Sequence, residues 1–223
     1  MIPAKSVLTD EMKITSLGGN KYSFDFGGGS PETIVADGTD QQGNSGTTMS
    51  TTIVSSNEWI GVRKKDGKVQ IRGIWTLSKD GNRLHDDFTY FPDNGKTVHL
   101  VYLYERRGAG SGFAGDWVST SAQVDAEIEL EIRPHGSGGL SFSSPGLGLA
   151  VEAKFDGDSA SAGPDAPRAS RFSGRRVNQH GVELTNKSQT IRFEVSADLK
   201  TLTMSVRQAG ESEPRNTLVF DRE

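Results

Sequence analysis

Apolar and polar residues alternate along this chain in short runs with a period of two. In the first half the runs are TDEMKITS (9–16), KYSFDF (21–26), ETIVAD (32–37), GTTMSTTIVS (46–55), EWIGVRK (58–64), KVQIRGIWTLS (68–78), RLHDDFTYF (83–91) and KTVHLVYLYER (96–106). Each is rich in Val, Ile, Thr, Tyr and Phe and is bounded by Gly, Asn, Asp or Ser, which predicts strands. Asp-Gly stands between alternating runs in Lys65-Asp66-Gly67-Lys68 and again in Lys79-Asp80-Gly81-Asn82. Such pairs predict tight hairpins. No run has the period of a helix; SPETI and SADLK predict single turns at most.

The second half repeats this order. AEIELEIR (126–133), GLSFSS (139–144), LAVEAKFDGD (149–158) and RASRFSGRRVN (168–178) follow the first four runs. GVELTN (181–186), QTIRFEV (189–195), KTLTMSVRQ (200–208) and NTLVFDRE (216–223) follow the last four. The pattern predicts two copies of one antiparallel unit. Their boundary is expected in the Gly/Ala/Ser stretch RRGAGSGFAG, giving domains 1–107 and 115–223 with a linker at 108–114. Eight or nine strands per copy, joined by tight turns, suit closed barrels, because closure removes exposed sheet edges.

Composition narrows the function classes. The 223 residues carry 25 basic and 29 acidic side chains and a net charge of −4, with no basic patch interleaved with aromatics. Nucleic acid is therefore not expected as a partner. No apolar run approaches the length of a membrane span. Cysteine is absent, which excludes disulfides, thiol nucleophiles and cysteine metal sites. The opening residues MIPAKSVLTD show no signal peptide and read as a start within a longer chain.

Gly115-Asp116-Trp117, with Arg222 in the last predicted strand, resembles the arrangement of the lipocalin (calycin) family, including lipocalin-like domains of exported proteins from soil bacteria. The resemblance implies a barrel whose base is closed by the tryptophan, with an arginine of the final strand stacked on it. It also implies export, to the periplasm or beyond. The first half has final-strand arginines, Arg106 and Arg107, but no Gly-x-Trp strand ahead of residue 9. Its opening strand is expected to be lost by truncation. The alternative is replacement by a second-half strand or a neighbouring chain, so a homodimer covering the open edge is a further expectation.

Candidate chemistry concentrates in the first half. Alternation on the strands around 83–91 and 96–106 puts Asp86, Phe88, Tyr90, Tyr102 and Tyr104 on one face, an aromatic and acidic lining. His85, Asp87 and His99 share the other face, where they read either as metal or general-base groups or as a solvated outer surface. Their spacing matches no established metal signature. Trp59 and Trp75 read as core or as ligand-contacting wall. Arg63 and Arg72 read as anion ligands or surface ion pairs. Asp37-Gly38-Thr39-Asp40 lacks the remaining ligands of a calcium loop and reads as a turn. In the second half Arg168, Arg171, Arg175 and Arg176 read as anion ligands or as cross-strand partners of Glu127, Glu129 and Glu131, and pairing is the expectation. Residues 157–170 read as a long loop of small residues.

These readings point to a protein that binds a small apolar or amphipathic molecule in the first barrel, without a cofactor. The alternative is a hydrolase or other acid–base enzyme, acting on an ester or phosphoester through His85, Asp86, Asp87 and His99.

Overall fold

A computed structural model describes residues 1–27, 30–93, 96–155, 159–162 and 172–222. The expected all-β, antiparallel class is found: strands dominate, and the described residues hold no α-helix. The chain divides into two compact units, one of residues 9–126 and one of residues 1–8 with 127–223.

In the unit of residues 9–126 the strands are β1 (Glu11–Ser16), β2 (Lys21–Asp25), β3 (Glu32–Val35), β4 (Gln41–Gln42), β5 (Thr47–Ser55), β6 (Glu58–Lys65), β7 (Lys68–Leu77), β8 (Arg83–Tyr90), β9 (Val98–Ser111) and β10 (Ala114–Asp125). Their order across the sheet is β3-β2-β1-β10-β9-β8-β7-β6-β5-β4. The Asp66-Gly67 turn between β6 and β7 has positive φ at both residues, 50° and 76°, as a type I′ hairpin requires. The sheet curls until its ends nearly meet. Asp37 bridges Thr52, and Gly38 N–H donates to Thr51 O at 2.9 Å. The Gln41 side chain stands in for a missing strand there: its Oε1 accepts from Val35 N–H and its Nε2 donates to Val35 O, at 2.8 and 2.7 Å. The edge of β3 is thus hydrogen-bonded without a full partner.

The other unit holds β11 (Glu131–His135), β12 (Gly139–Ser144), β13 (Leu149–Lys154), β14 (Ser159–Ala162), β15 (Phe172–Asn178), β16 (Gly181–Thr185), β17 (Gln189–Val195), β18 (Thr201–Gln208) and β19 (Asn216–Asp221), paired in sequence order. Its core centres on Phe142 stacked against Phe193, with ring centroids 4.3 Å apart. Residues 1–8 lie along β19. Val7 and Thr217 exchange two backbone hydrogen bonds, Ile2 N–H donates to Val219 O, and Ser6 Oγ accepts from Val219 N–H.

The pairing corrects the expected domain boundaries. Residues 108–114 are no linker: they form the end of β9, the turn at Gly112-Phe113 and the start of β10. The Gly-Asp-Trp strand does not open the second unit. It fills the place between β9 and β1 in the first. The open edge that suggested a truncation or a second chain is therefore occupied by β10, which was the second-half strand among the alternatives. Residues 1–8, which precede the 9–126 unit in the chain, belong to the other unit, whereas β10 is continuous with the unit it completes. The stretch 157–170 also departs from a plain loop, because Ser159–Ala162 forms β14. Residues 156–158 at the end of the LAVEAKFDGD run, Arg168 and Arg171 lie outside the described residues.

Candidate functional site

Tryptophan and tyrosine occur only within residues 9–126. Among the described residues, the buried polar side chains are also concentrated there: Glu32, Thr47, Ser50, Thr51, Asp86 and Ser119, against Ser144 in the other unit. An interior that keeps polar groups out of water must satisfy them or use them.

The base of this interior is closed by Trp117, which is 1% exposed. Its indole N–H donates to Phe113 O at 2.9 Å. Phe113 stacks on Trp59, centroids 4.1 Å apart, and Tyr22 meets Trp59 edge-on. The arginine over Trp117 is Arg106 of β9, its guanidinium carbon 4.2 Å from the ring centroid. Arg222, expected in that role, belongs to the other unit. Arg106 also donates to the carbonyls of Gly81, Gly112 and Ala114, so one side chain ties two hairpin ends to the base. A Cβ on Gly115 would collide with the Arg106 guanidinium. The glycine of Gly-x-Trp is thus the space through which the arginine reaches the tryptophan.

Above the base lies an acidic and aromatic group. Asp86 of β8 is 8% exposed and stands opposite Trp75 of β7 in register. Burial pushes its carboxyl up to about 7; Trp75 partly offsets this, and the charges of Asp10 and Asp87 add to it. Although the Trp75 indole favours the ionised form, neither Trp75 Nε1 nor Asp86 Oδ1 reaches a partner at hydrogen-bond geometry. Tyr104 donates to Asp10 Oδ2 at 2.6 Å, and Asp10 N–H donates to Ser119 Oγ. Burial, together with the charges of Asp10 and Asp86, raises both Tyr102 and Tyr104 and keeps their hydroxyls protonated. Tyr102 stacks on Phe88 with centroids 6.0 Å apart. Trp75 stacks on Phe24 and Phe26.

Two glycines shape the wall. A Cβ on Gly73 would lie 3.3 Å from Asp86 Oδ1, and one on Gly61 would lie 3.4 Å from the Trp75 ring. Gly61 and Gly73 are register partners, so the indole lies close against bare backbone.

Arg63 is only partly exposed, and its carboxylate is the chain's own Glu32. Nη2 meets Glu32 Oε2 at 2.6 Å, and Nη1 donates to Glu32 Oε1 and Thr47 Oγ1. Burial opposes ionisation of Glu32, but the Arg63 hydrogen bonds, the Asn44 N–H and the Arg63 charge outweigh it and hold the carboxyl below its ordinary range. Arg72 is exposed on the face opposite Gly73 and Trp75.

The remaining residues separate by face. Asp86, Phe88, Tyr102 and Tyr104 share the lining side, with the half-buried Tyr90 in phase with them. His85, Asp87 and His99 are in the opposite phase. His99 Nε2 meets Asp87 Oδ1 at 2.8 Å with both side chains about two-fifths exposed. His85 stands opposite Leu103, a further two residues along from Asp87. The sheet therefore does not bring His85, Asp86, Asp87 and His99 to one point. Among the described residues no three His, Asp or Glu side chains are placed to hold a metal. The 37–40 segment is an Asx turn, Asp37 accepting from both Thr39 N–H and Oγ1. Arg175 pairs with Glu183 of the neighbouring strand, Arg176 lies over Phe155, and Glu131 pairs with Arg133. No described helix is long and apolar enough to cross a membrane.

Asp10, Glu32, Gly61 and Gly73 were not singled out by sequence, though a signal existed. Asp10 is in phase with Met12 and Ile14, and Glu32 with Ile34 and Ala36, which are core positions. A charge in the phase of the core marks a buried polar group.

Comparison of the chain with protein-family models, with curated proteins and with solved structures finds no match.

Proposed function

We propose that residues 9–126 form a lipocalin-like barrel that binds a small apolar or amphipathic molecule. The observation that carries this reading is the buried, unpartnered pair of Asp86 Oδ1 and Trp75 Nε1 inside an aromatic lining. Ligand sites are typically apolar interiors with a few placed polar groups. Support for the lipocalin-like assignment comes from the Trp117–Arg106 base and the up-and-down strand order. The test is titration with the neutral dye N-phenyl-1-naphthylamine. Saturable binding at one site per chain, with energy transfer from tryptophan and loss on unfolding, is the expected result. Absence of saturable binding would remove the reading.

One observation favours a second reading, an ester or phosphoester hydrolase: a carboxyl titrating near neutrality is suited to general acid–base work. Asp86 alone would carry it, because His85 and His99 are on the opposite face. Hydrolysis of p-nitrophenyl acetate and p-nitrophenyl phosphate by the native protein and by Asp86→Asn decides the matter. Equal rates in the two proteins would dismiss catalysis by this group.

A further inference from the structure

Five buried side-chain atoms among the described residues lack a hydrogen-bond partner, and three belong to the inner wall of the 9–126 barrel: Asp86 Oδ1, Trp75 Nε1 and Thr51 Oγ1. Asp86 and Trp75 are register partners on β8 and β7. Thr51 stands opposite Gly61, the residue over which the Trp75 ring lies. A buried acceptor and a buried donor side by side are costly unless something meets both.

The polar groups around them are already engaged. The Tyr104 hydroxyl donates to Asp10, Asp10 N–H donates to Ser119 Oγ, and Arg63 is ion-paired with Glu32 and donates to Thr47 Oγ1. Arg106 is likewise taken up by the Trp117 ring and the carbonyls of Gly81, Gly112 and Ala114, so neither of these guanidinium groups is on offer to an anion.

We propose that the molecule held here is an uncharged aromatic alcohol, its hydroxyl donating to Asp86 Oδ1 and accepting from Trp75 Nε1. The proposal rests on the reading of the barrel as a binding domain and specifies its ligand class. A hydroxyl is both donor and acceptor, so it meets the pair whether Asp86 is ionised or protonated. An ammonium group donates only and leaves the indole N–H unmet. A carboxylate accepts only and faces Asp86 and Asp10. A hydrocarbon meets neither. The ring of the alcohol would join the aromatic surfaces already stacked there, Phe88 on Tyr102 and Phe24 on Trp75.

The test is calorimetric titration of the whole chain at pH 7 with four probes on one ring: 2-naphthalenemethanol, 2-methylnaphthalene, 2-naphthoate and 2-naphthylmethylammonium. The alcohol is expected to bind about 10-fold more tightly than the hydrocarbon, the gain of one net buried hydrogen bond. Both ions are expected to bind more weakly than the alcohol. In Asp86→Leu and in Trp75→Phe, each first checked for native far-UV dichroism and cooperative melting, the alcohol should lose its advantage while the hydrocarbon still binds. If Asp86→Leu does not fold, Trp75→Phe decides alone. The proposal is overturned if the hydrocarbon binds as tightly as the alcohol, if an ion binds tightest, or if the preference survives in the folded variants. If none of the four binds the native chain, the binding reading falls with it; hydrocarbon binding without a preference overturns the ligand class alone.

Discussion

The Arg106 guanidinium lies over the Trp117 indole, 4.2 Å from the ring centroid, because Gly115 leaves the space for it. Stack, carbonyl contacts and glycine form one unit, so their energies should not add. Arg106→Ala removes a cation–π contact and the contacts to three carbonyls, and is expected to destabilise the 9–126 unit by about 2–4 kcal/mol. Gly115→Ala is expected to cost about 1–3 kcal/mol in the native background through crowding of the arginine. In the Arg106→Ala background the same substitution should cost much less. Urea unfolding followed by tryptophan fluorescence, which reports only this unit, measures the coupling.

The pairing of residues 1–8 with β19 makes a different forecast for residue 7. Val7 is 57% exposed, so its side chain contributes little packing, yet its backbone donates to and accepts from Thr217. Val7→Pro removes the N–H donor, and Ser6 before it is already extended as a residue preceding proline must be, at φ −102° and ψ 144°. Amide exchange at Thr217 and Val219 should quicken at least tenfold. Tryptophan-detected unfolding of the other unit should be unchanged. Faster exchange on β9 and β10 instead would contradict the assignment of residues 1–8 to β19.

Asp86 sets a pH dependence of definite sign. Its folded pKa, about 7, lies above the ordinary value of 3.8. The folded state therefore holds the proton more tightly than the unfolded chain across that window. Stability from this group is fully present below pH 3.8, falls as the pH rises toward 7, and is level above it. The loss is on the order of 4 kcal/mol for a shift of about three units. Asp86→Asn should remove this slope. Relative to the native chain it should gain stability at pH 8, with the gap closing toward pH 4, as read from urea midpoints.

Glu32 and Arg63 form the opposite case, a buried carboxylate kept ionised by its partner. Arg63→Met strands the charge and is expected to cost about 3–5 kcal/mol. Arg63→Met combined with Glu32→Leu should recover much of that loss in the melting temperature. A double variant as unstable as the single one would show that Arg63 acts mainly through Thr47 and Met49 rather than through Glu32.

Strand positions were legible because alternation is local: Leu84, Asp86 and Phe88 declare one face of β8 from sequence alone. The inner and outer residues of the site followed from the same rule. Chain pairing was not legible. Gly108, Gly110 and Gly112 read equally well as a linker or as the end of a long hairpin, and only the long-range partners of Trp117 decide between them. The arginine partner was missed for the same reason: Arg106 and Arg222 occupy equivalent places in the strand pattern, and nothing local tells which one the indole meets. Glu32 as the partner of Arg63 depends on two strands closing across the barrel, a distance in space that periodicity does not encode.

Residues 1–8 leave the ribosome ahead of residues 9–126 and long before their partners at 217 and 219. At about 5–20 residues per second this is a wait of roughly 10–40 s. Over that interval their partners are not yet made, while the strands of the 9–126 barrel, β10 included, emerge. Correct pairing therefore requires that residues 1–8 not settle into the first sheet edge offered. Pro3 and the exposed, charged Lys5 are residue types that discourage edge pairing, and both stand in a 3-10 turn rather than in a strand.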